Sequence, residues 1–166
     1  MTEKGANQAI IVRRLGINNL DLMGAMLTIF GEAFDETATY NDARPDDAYF
    51  RKLFDNENFV ALAAVKATQV VGGLVAYELQ KFEQARSEFY IYDLAVQAEH
   101  RREAIATTLI DALRKIAAAR GASVIFVQAD HGDDPAIALY SKLGTREDVM
   151  HFDIPIEIAP MESSSH

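Results

Sequence analysis

The chain of 166 residues contains no cysteine. That absence removes disulfides, thiolate metal sites and a cysteine nucleophile together, so any sulfur chemistry has to arrive with a partner molecule. Basic residues are in deficit: 16 Lys and Arg stand against 25 Asp and Glu, a net charge of −9. Such a surface repels phosphate backbones, which argues against nucleic acid and anionic membranes and favours a cationic partner. Long apolar runs are missing as well. The longest, Val70 to Tyr77, contains two glycines and is far too short to span a bilayer. The start, MTEKGANQAIIVRR, has an early Glu3 and only a short apolar run, so a secretory signal is not expected and a cytoplasmic protein is. The four histidines, 100, 131, 151 and 166, show no metal-ligand spacing, and no Gly-x-x-x-x-Gly-Lys or Gly-x-Ser-x-Gly motif occurs. Neither a metal site nor a covalent acyl-enzyme is expected.

What is present suits one domain over residues 1–156, with 157–166 as a loose tail, since 49% hydrophobic content is enough for one core. Ala9 to Leu15 reads as a strand. Asn18 or Asn19 can cap a helix carrying Leu20, Met23, Leu27, Phe30 and Phe34 at helical spacing. Pro45 suits the first turn of a shorter helix to about Phe54. Phe59–Val65 and Val70–Leu79 form a predicted hairpin around Lys66 to Gln69, and Glu88–Val96 a further strand. Ile105, Leu109, Leu113 and Ile116 mark a helix closed by Gly121. Ser123–Gln128 then reads as a buried strand, Asp134-Pro135 as a helix start with Asp134 as its cap, Gly144 as that helix's end, and Thr145–Ile154 as a last alternating strand. Three strands in succession before the first strand-helix-strand crossover predict an antiparallel half joined to a parallel half, unlike the regular alternation of a dinucleotide fold.

Chemistry is concentrated in two segments. Glu99-His100-Arg101-Arg102-Glu103-Ala104-Ile105-Ala106-Thr107 leads into the long helix. Unpaired amides at a helix N-terminus, its partial positive charge and two arginines suit a pyrophosphate. On the strand before it, alternation puts Phe89, Ile91, Asp93 and Ala95 on one face and Tyr90, Tyr92, Leu94 and Val96 on the other. Asp93 is then a lone acid on an apolar face, which needs a structural partner or a function.

Arg101 to Ala106 resembles the R/Q-x-x-G-x-G/A pyrophosphate loop of the GNAT N-acetyltransferase superfamily, and Asp133 to Gly144 is similar to its N-x-x-A-x-x-L-Y-x-K-L-G helix. KFEQARSEFYIYDLAV, from Lys81 to Val96, and VMHFDI, from Val149 to Ile154, resemble the type I aminoglycoside 3-N-acetyltransferases. The likeness implies a GNAT fold of the α/β (α+β) class: a mixed central sheet, antiparallel in its N-terminal half and parallel with splayed strands at its centre, with helices on both faces. It further implies acetyl-CoA as donor and a gentamicin-like aminoglycoside as cationic acceptor, acetylated on its 3-amino group by direct attack in a ternary complex; a homodimer is compatible with it.

Residue by residue, the resemblance implies Asp93 as base toward the acceptor amine and Tyr140 as hydrogen-bond or proton donor to the departing sulfur. Donor contacts fall to the backbone of Leu94, Ala95 and Val96 and to Arg101, Arg102, Glu103, Ala104, Ile105, Ala106 and Thr107. Asp93, Asp133 and Asp134 are the expected acceptor contacts, with Glu83 and Glu88 as weaker candidates for which a solvated surface is the plainer reading. Ala104 departs from the usual glycine: its methyl costs little at a helical φ and on the order of 1 kcal/mol at a positive one. The donor motifs do not specify the acceptor, so another polyamine, a small metabolite or a protein amine stays open, as does a weakly active acetyl-CoA-binding module.

Overall fold

The computed structural model describes residues 8–157, in two compact units that divide after Gln128. The first unit is built on a five-stranded sheet in chain order: β1 (Ile10–Arg14), β2 (Phe59–Lys66), β3 (Gln69–Gln80), β4 (Ser87–Val96) and β5 (Ala122–Val127). The first four strands pair antiparallel and β5 joins β4 parallel, the mixed sheet that the strand order implied. Between β1 and β2 run α1 (Leu20–Ala33) and α2 (Asp47–Asp55), and between β4 and β5 runs α3 (Ile105–Ala119).

Both faces of the sheet are covered. Side chains of β2 alternate between Phe59, Ala61, Ala63 and Val65, which join the α1 cluster of Met23, Met26, Ile29 and Phe30, and Val60, Leu62 and Ala64, which are buried on the opposite face. The buried stripe of α3 is Ile105, Leu109, Ile110, Leu113 and Ala117. Gly72 and Gly73 let both helices approach the middle of the sheet. A Cβ on Gly73 would stand 2.7 Å from Met26 Cε, and one on Gly72 would stand 3.1 Å from Ile105 Cγ2. Large core side chains such as Met26, Phe30, Leu109 and Leu113, at most 1% exposed, each contribute roughly 1.5–3 kcal/mol of burial.

Several details differ from the sequence reading. The cap of α2 is Asp46, whose carboxylate accepts from Tyr49 N at 2.9 Å, so Pro45 lies before the helix. Asn19 precedes α1, but its side chain turns back to accept from Gly16 N at 3.0 Å. Strand β5, expected to be buried, pairs among the described residues with β4 alone, and its Val124 is 47% exposed.

The second unit holds α4 (Asp134–Leu143), ended at Gly144, whose N–H donates to Tyr140 O. Its N-cap is Asp133, accepting from Ala136 N at 3.4 Å, and Asp134 is the first helical residue, the reverse of the expected division of labour. Residues 145–157 form no strand. Alternation supplies a face for a strand but not the backbone ladder partner that makes one, and this segment has none among the described residues. The tail expected over 157–166 lies outside the described residues except for Glu157. Among the described residues no helix is long and apolar enough to cross a membrane, and no three His, Asp or Glu residues are grouped to hold a metal ion.

Candidate active site

Strand β4 does not alternate evenly. Its pairing with β3 runs Gly73↔Ala95, Leu74↔Leu94 and Val75↔Asp93, then skips to Ala76↔Ile91 and Tyr77↔Tyr90. Tyr92 is the extra residue of a bulge, and a bulge re-aims the side chains beyond it. Paired residues of an antiparallel ladder share a face. Ile91 and Phe89 therefore lie with Ala76 toward α3, whereas Asp93 and Ala95 lie with Val75 and Gly73 toward α1. The expected face of Phe89, Ile91, Asp93 and Ala95 is thus split, and Tyr90 is likewise separated from Leu94 and Val96. Asp93 thus lies on the other side of the sheet from Phe89 and Ile91.

There it meets Tyr40, whose hydroxyl donates to Asp93 Oδ2 at 2.9 Å. Tyr40 sits in a π-helical turn, Ala38–Asp42, that comes after α1; wide turns of this kind recur at functional sites. Burial pushes the Asp93 carboxyl above the usual carboxylate range, Tyr40's hydrogen bond opposes that rise, and the charge of Glu36 adds to it. Burial, with the Asp93 bond behind it, raises the Tyr40 phenol strongly, so Tyr40 stays a donor. Sequence reading missed Tyr40, because no periodicity marks residues 35–44; the one signal there was an aromatic inside the acidic run Asp35-Glu36-Thr37-Ala38-Thr39-Tyr40-Asn41-Asp42.

The β4–β5 ladder stops at Ile91↔Val127, while β4 runs on to Val96. Beyond Ile91 the two parallel strands part, and the edge that carries Leu94, Ala95 and Val96 takes no partner from β5. This is the splayed centre that the resemblance implied. A chain of amides can pair with such an edge as an added strand.

From Val96 the chain passes a 3₁₀ turn, Ala98–His100, into α3. Thr108 N is the first α3 amide to close an intrahelical bond, onto Ala104 O at 3.0 Å, so the amides of Ile105, Ala106 and Thr107 take no helical acceptor. Arg102 and Ala104 both have positive φ, 73° and 58°. The conditional cost of Ala104 is therefore incurred: its methyl sits in a left-handed conformation. Glu103 is held at 2.9 Å by both Lys66 and His100, which lower its carboxyl, so its side chain already has two basic partners. A hollow of about 90 Å³ lined by Ile29, Glu32, Val96, Gln97, Glu99 and Arg101 adjoins the end of β4. A larger one of about 300 Å³ lies by the β2–β3 turn and His100; Asp93 lines neither. A free strand edge leading to open amides flanked by arginines suits a ligand with an amide arm and a pyrophosphate, as acetyl-CoA has.

The remaining candidates are more dispersed. Lys81 lies 3.0 Å from Glu83 and 3.2 Å from Glu88, and it lowers the Glu83 carboxyl; both carboxylates already have a cation. Glu88 and Tyr90 sit two apart before the bulge and share the face of Asp93. In the second unit, burial and then the charge of Asp133 push the Tyr140 phenol up to about 12.

Strands that part beside an arginine-flanked helix N-terminus define the class of this protein, an α/β fold of acetyltransferase architecture. The model of the acetyltransferase (GNAT) family matches residues 25–145. The chain belongs to the GNAT family and is an acetyltransferase; that family uses acetyl-CoA as its co-substrate. It is similar to an aminoglycoside acetyltransferase, HMB0005, from an uncultured soil metagenomic sample, with 56% identity, 90% of this chain and 99% of that one covered, and a TM-score of 0.88. It also resembles the aminoglycoside acetyltransferase meta-AAC0020 from an uncultured soil metagenomic sample, solved in complex with sisomicin, at 30% identity and TM-score 0.83, covering 89% of this chain and 97% of that one. A ribosomal-protein-alanine N-acetyltransferase from Brucella melitensis biovar Abortus 2308, at 23% identity and TM-score 0.71 with 90% and 100% covered, shares the fold. No curated protein matches.

Proposed function

We propose that this protein transfers the acetyl group of acetyl-CoA to the 3-amino group of a gentamicin-like aminoglycoside, by direct attack in a ternary complex. The observation that carries the reading is the half-buried Asp93 carboxylate, set by the β4 bulge beside the free edge of that strand and held by Tyr40. A carboxylate there suits a cationic acceptor, and the net charge of −9 suits its approach. Two aminoglycoside acetyltransferases that cover nearly the whole chain support the substrate class.

In this reading Asp93 pairs with the acceptor's ammonium and removes its proton, directly or through water. Bound acetyl-CoA supplies a thioester carbonyl as electrophile and a thiolate as leaving group. The edge of Leu94, Ala95 and Val96 orients the arm, and Arg101, Arg102 and the amides of Glu103, Ala104, Ile105, Ala106 and Thr107 take the pyrophosphate. Tyr140 donates to the departing sulfur; with its phenol pushed up to about 12 it keeps its proton at neutral pH. Asp133 and Asp134, both exposed, and more weakly Glu83 and Glu88, contact the acceptor's other amines. No metal takes part, and most of the acceleration comes from orienting two bound reactants.

In this reading residues 1–156 act as one catalytic domain in the cytoplasm; the family match over 25–145, which runs across the division after Gln128, supports a single domain. A homodimer belongs to the same reading.

Thiol release from acetyl-CoA tests the reaction, with gentamicin, sisomicin, kanamycin and spermidine compared as acceptors. Selective turnover of gentamicin or sisomicin, with the product acetylated at position 3 by NMR, supports it. Turnover of spermidine alone points to another polyamine, and acetyl-CoA binding without turnover of any acceptor sinks the substrate assignment. Light scattering after size exclusion tests the dimer.

A further inference from the structure

The turn that carries Tyr40 is held in place more firmly than an exposed connection requires. Arg44 Nε donates to Tyr40 O at 3.1 Å, while Arg44 Nη2 donates to Asn41 Oδ1 at 2.6 Å and to Thr28 Oγ1, on α1, at 2.7 Å. The Tyr40 ring packs against Phe30 of α1 and Phe34 just past its end, with centroids 6.1 and 5.8 Å apart. Beneath the turn lies Gly31: a Cβ there would stand 2.5 Å from Asn41 Nδ2 and 3.2 Å from Tyr40 Cβ. The missing side chain is what lets the turn sit down on α1.

A phenol has one proton to give. Tyr40 gives it to Oδ2 of Asp93, and Oδ1 accepts from no other described residue. We propose that Tyr40, seated by Gly31 and Arg44, is the positioning residue of the acceptor site, fixing the Asp93 carboxylate in one orientation with Oδ1 presented to the acceptor's ammonium. This rests on Asp93 being the base, and it adds the element that sets its direction and its charge. A half-buried carboxylate without that bond would rotate and would hold a proton more readily.

Among the described residues, the ionisable groups around Asp93 are Tyr40 and Glu36 from the segment after α1, Tyr77 from β3, and Tyr90 and the adjacent Tyr92 from β4. Of these, Tyr40 alone stabilises the ionised form by a hydrogen bond. Burial and Glu36 act the other way.

The test tracks the Asp93 carboxyl by ¹³C NMR through a pH titration of the full-length chain, with Asp93→Asn for assignment, in wild type and Tyr40→Phe. The expected midpoint in Tyr40→Phe rises by about one pH unit, the equivalent of one hydrogen bond to a charged group. The acid limb of kcat/KM with sisomicin should move by the same amount, and kcat should fall more than KM rises. Arg44→Ala, which keeps the hydroxyl but frees the turn, should shift the midpoint in the same direction by less. An unmoved midpoint in Tyr40→Phe, with the protein folded, overturns the proposal. Because the titration needs no acceptor, it decides this point even where sisomicin is not turned over.

Discussion

Asp93 and Ile91, two residues apart on one strand, point to opposite faces of the sheet, because Tyr92 stands between them as an unpaired extra residue. Without that bulge the carboxylate would lie against α3, on the face where Phe89 and Ile91 are at most 2% exposed. With it, Asp93 reaches Tyr40. A one-residue slip in a strand reverses every later side chain, and here the reversal places the acid.

Asp93→Asn should lower kcat/KM by roughly 10²–10⁴ while leaving acetyl-CoA affinity within a few-fold. It should also stabilise the fold at neutral pH. Burial raises this carboxyl, so the folded state holds its proton more tightly than the unfolded state does. The ionised residue then costs stability as pH rises above the ordinary carboxylate range. Melting curves should show Asn ahead of wild type at pH 7.5 and level with it near pH 4. A variant less stable than wild type at pH 7.5 would contradict the assignment of burial as the dominant effect.

Ala104→Gly should stabilise the protein. At φ 58° the methyl costs on the order of 1 kcal/mol, which for a chain of this size corresponds to about 2–4 °C in Tm. Acetyl-CoA binding by calorimetry should be unchanged or tighter. A lower Tm would mean that the left-handed turn is not where the strain lies.

Gly24 and Gly31 both lie in α1 but should respond oppositely to alanine. At Gly24 the nearest atom to a new Cβ is Arg44 Nη1 at an ordinary 3.5 Å, so alanine's helix preference should add about 0.5–1 kcal/mol. At Gly31 the new Cβ meets Asn41 and Tyr40, so Gly31→Ala should lower Tm and reduce kcat/KM with the cationic acceptor. Equal behaviour of the two variants in melting and kinetics would show that the turn carrying Tyr40 is not seated on α1 as described.

Tyr140→Phe should cut kcat by roughly 10²-fold or more with little change in acetyl-CoA affinity. A phenol pushed up to about 12 keeps its proton through mildly alkaline solution, so the wild-type rate should show no decline from this group up to about pH 10. A kcat within twofold of wild type would remove Tyr140 from the chemistry.

Local patterns were legible wherever a period or a cap decided them. The apolar faces of α1 and α3, the hairpin across Ala67-Thr68 and the Asp-Pro start of α4 come from spacing and backbone chemistry confined to a few residues. The arginine-flanked loop before α3 could be recognised for the same reason: its amides are left open by the geometry of any helix start. The alternation of Thr145–Ile154 read equally well as a strand, yet a strand exists only by pairing, and pairing is not a property of one segment.

By itself the sequence determined the mixed order of elements, the absence of thiol chemistry, the acidic balance and the anion-suited turn into α3, since each depends on composition or on neighbours in the chain. Only the tertiary structure decided which way Asp93 points and what holds it. The bulge at Tyr92 is defined by register against β3, and the Tyr40–Asp93 hydrogen bond joins residues 53 positions apart. Neither leaves a periodic trace, because both arise from contacts that exist only once the sheet and α1 have packed together.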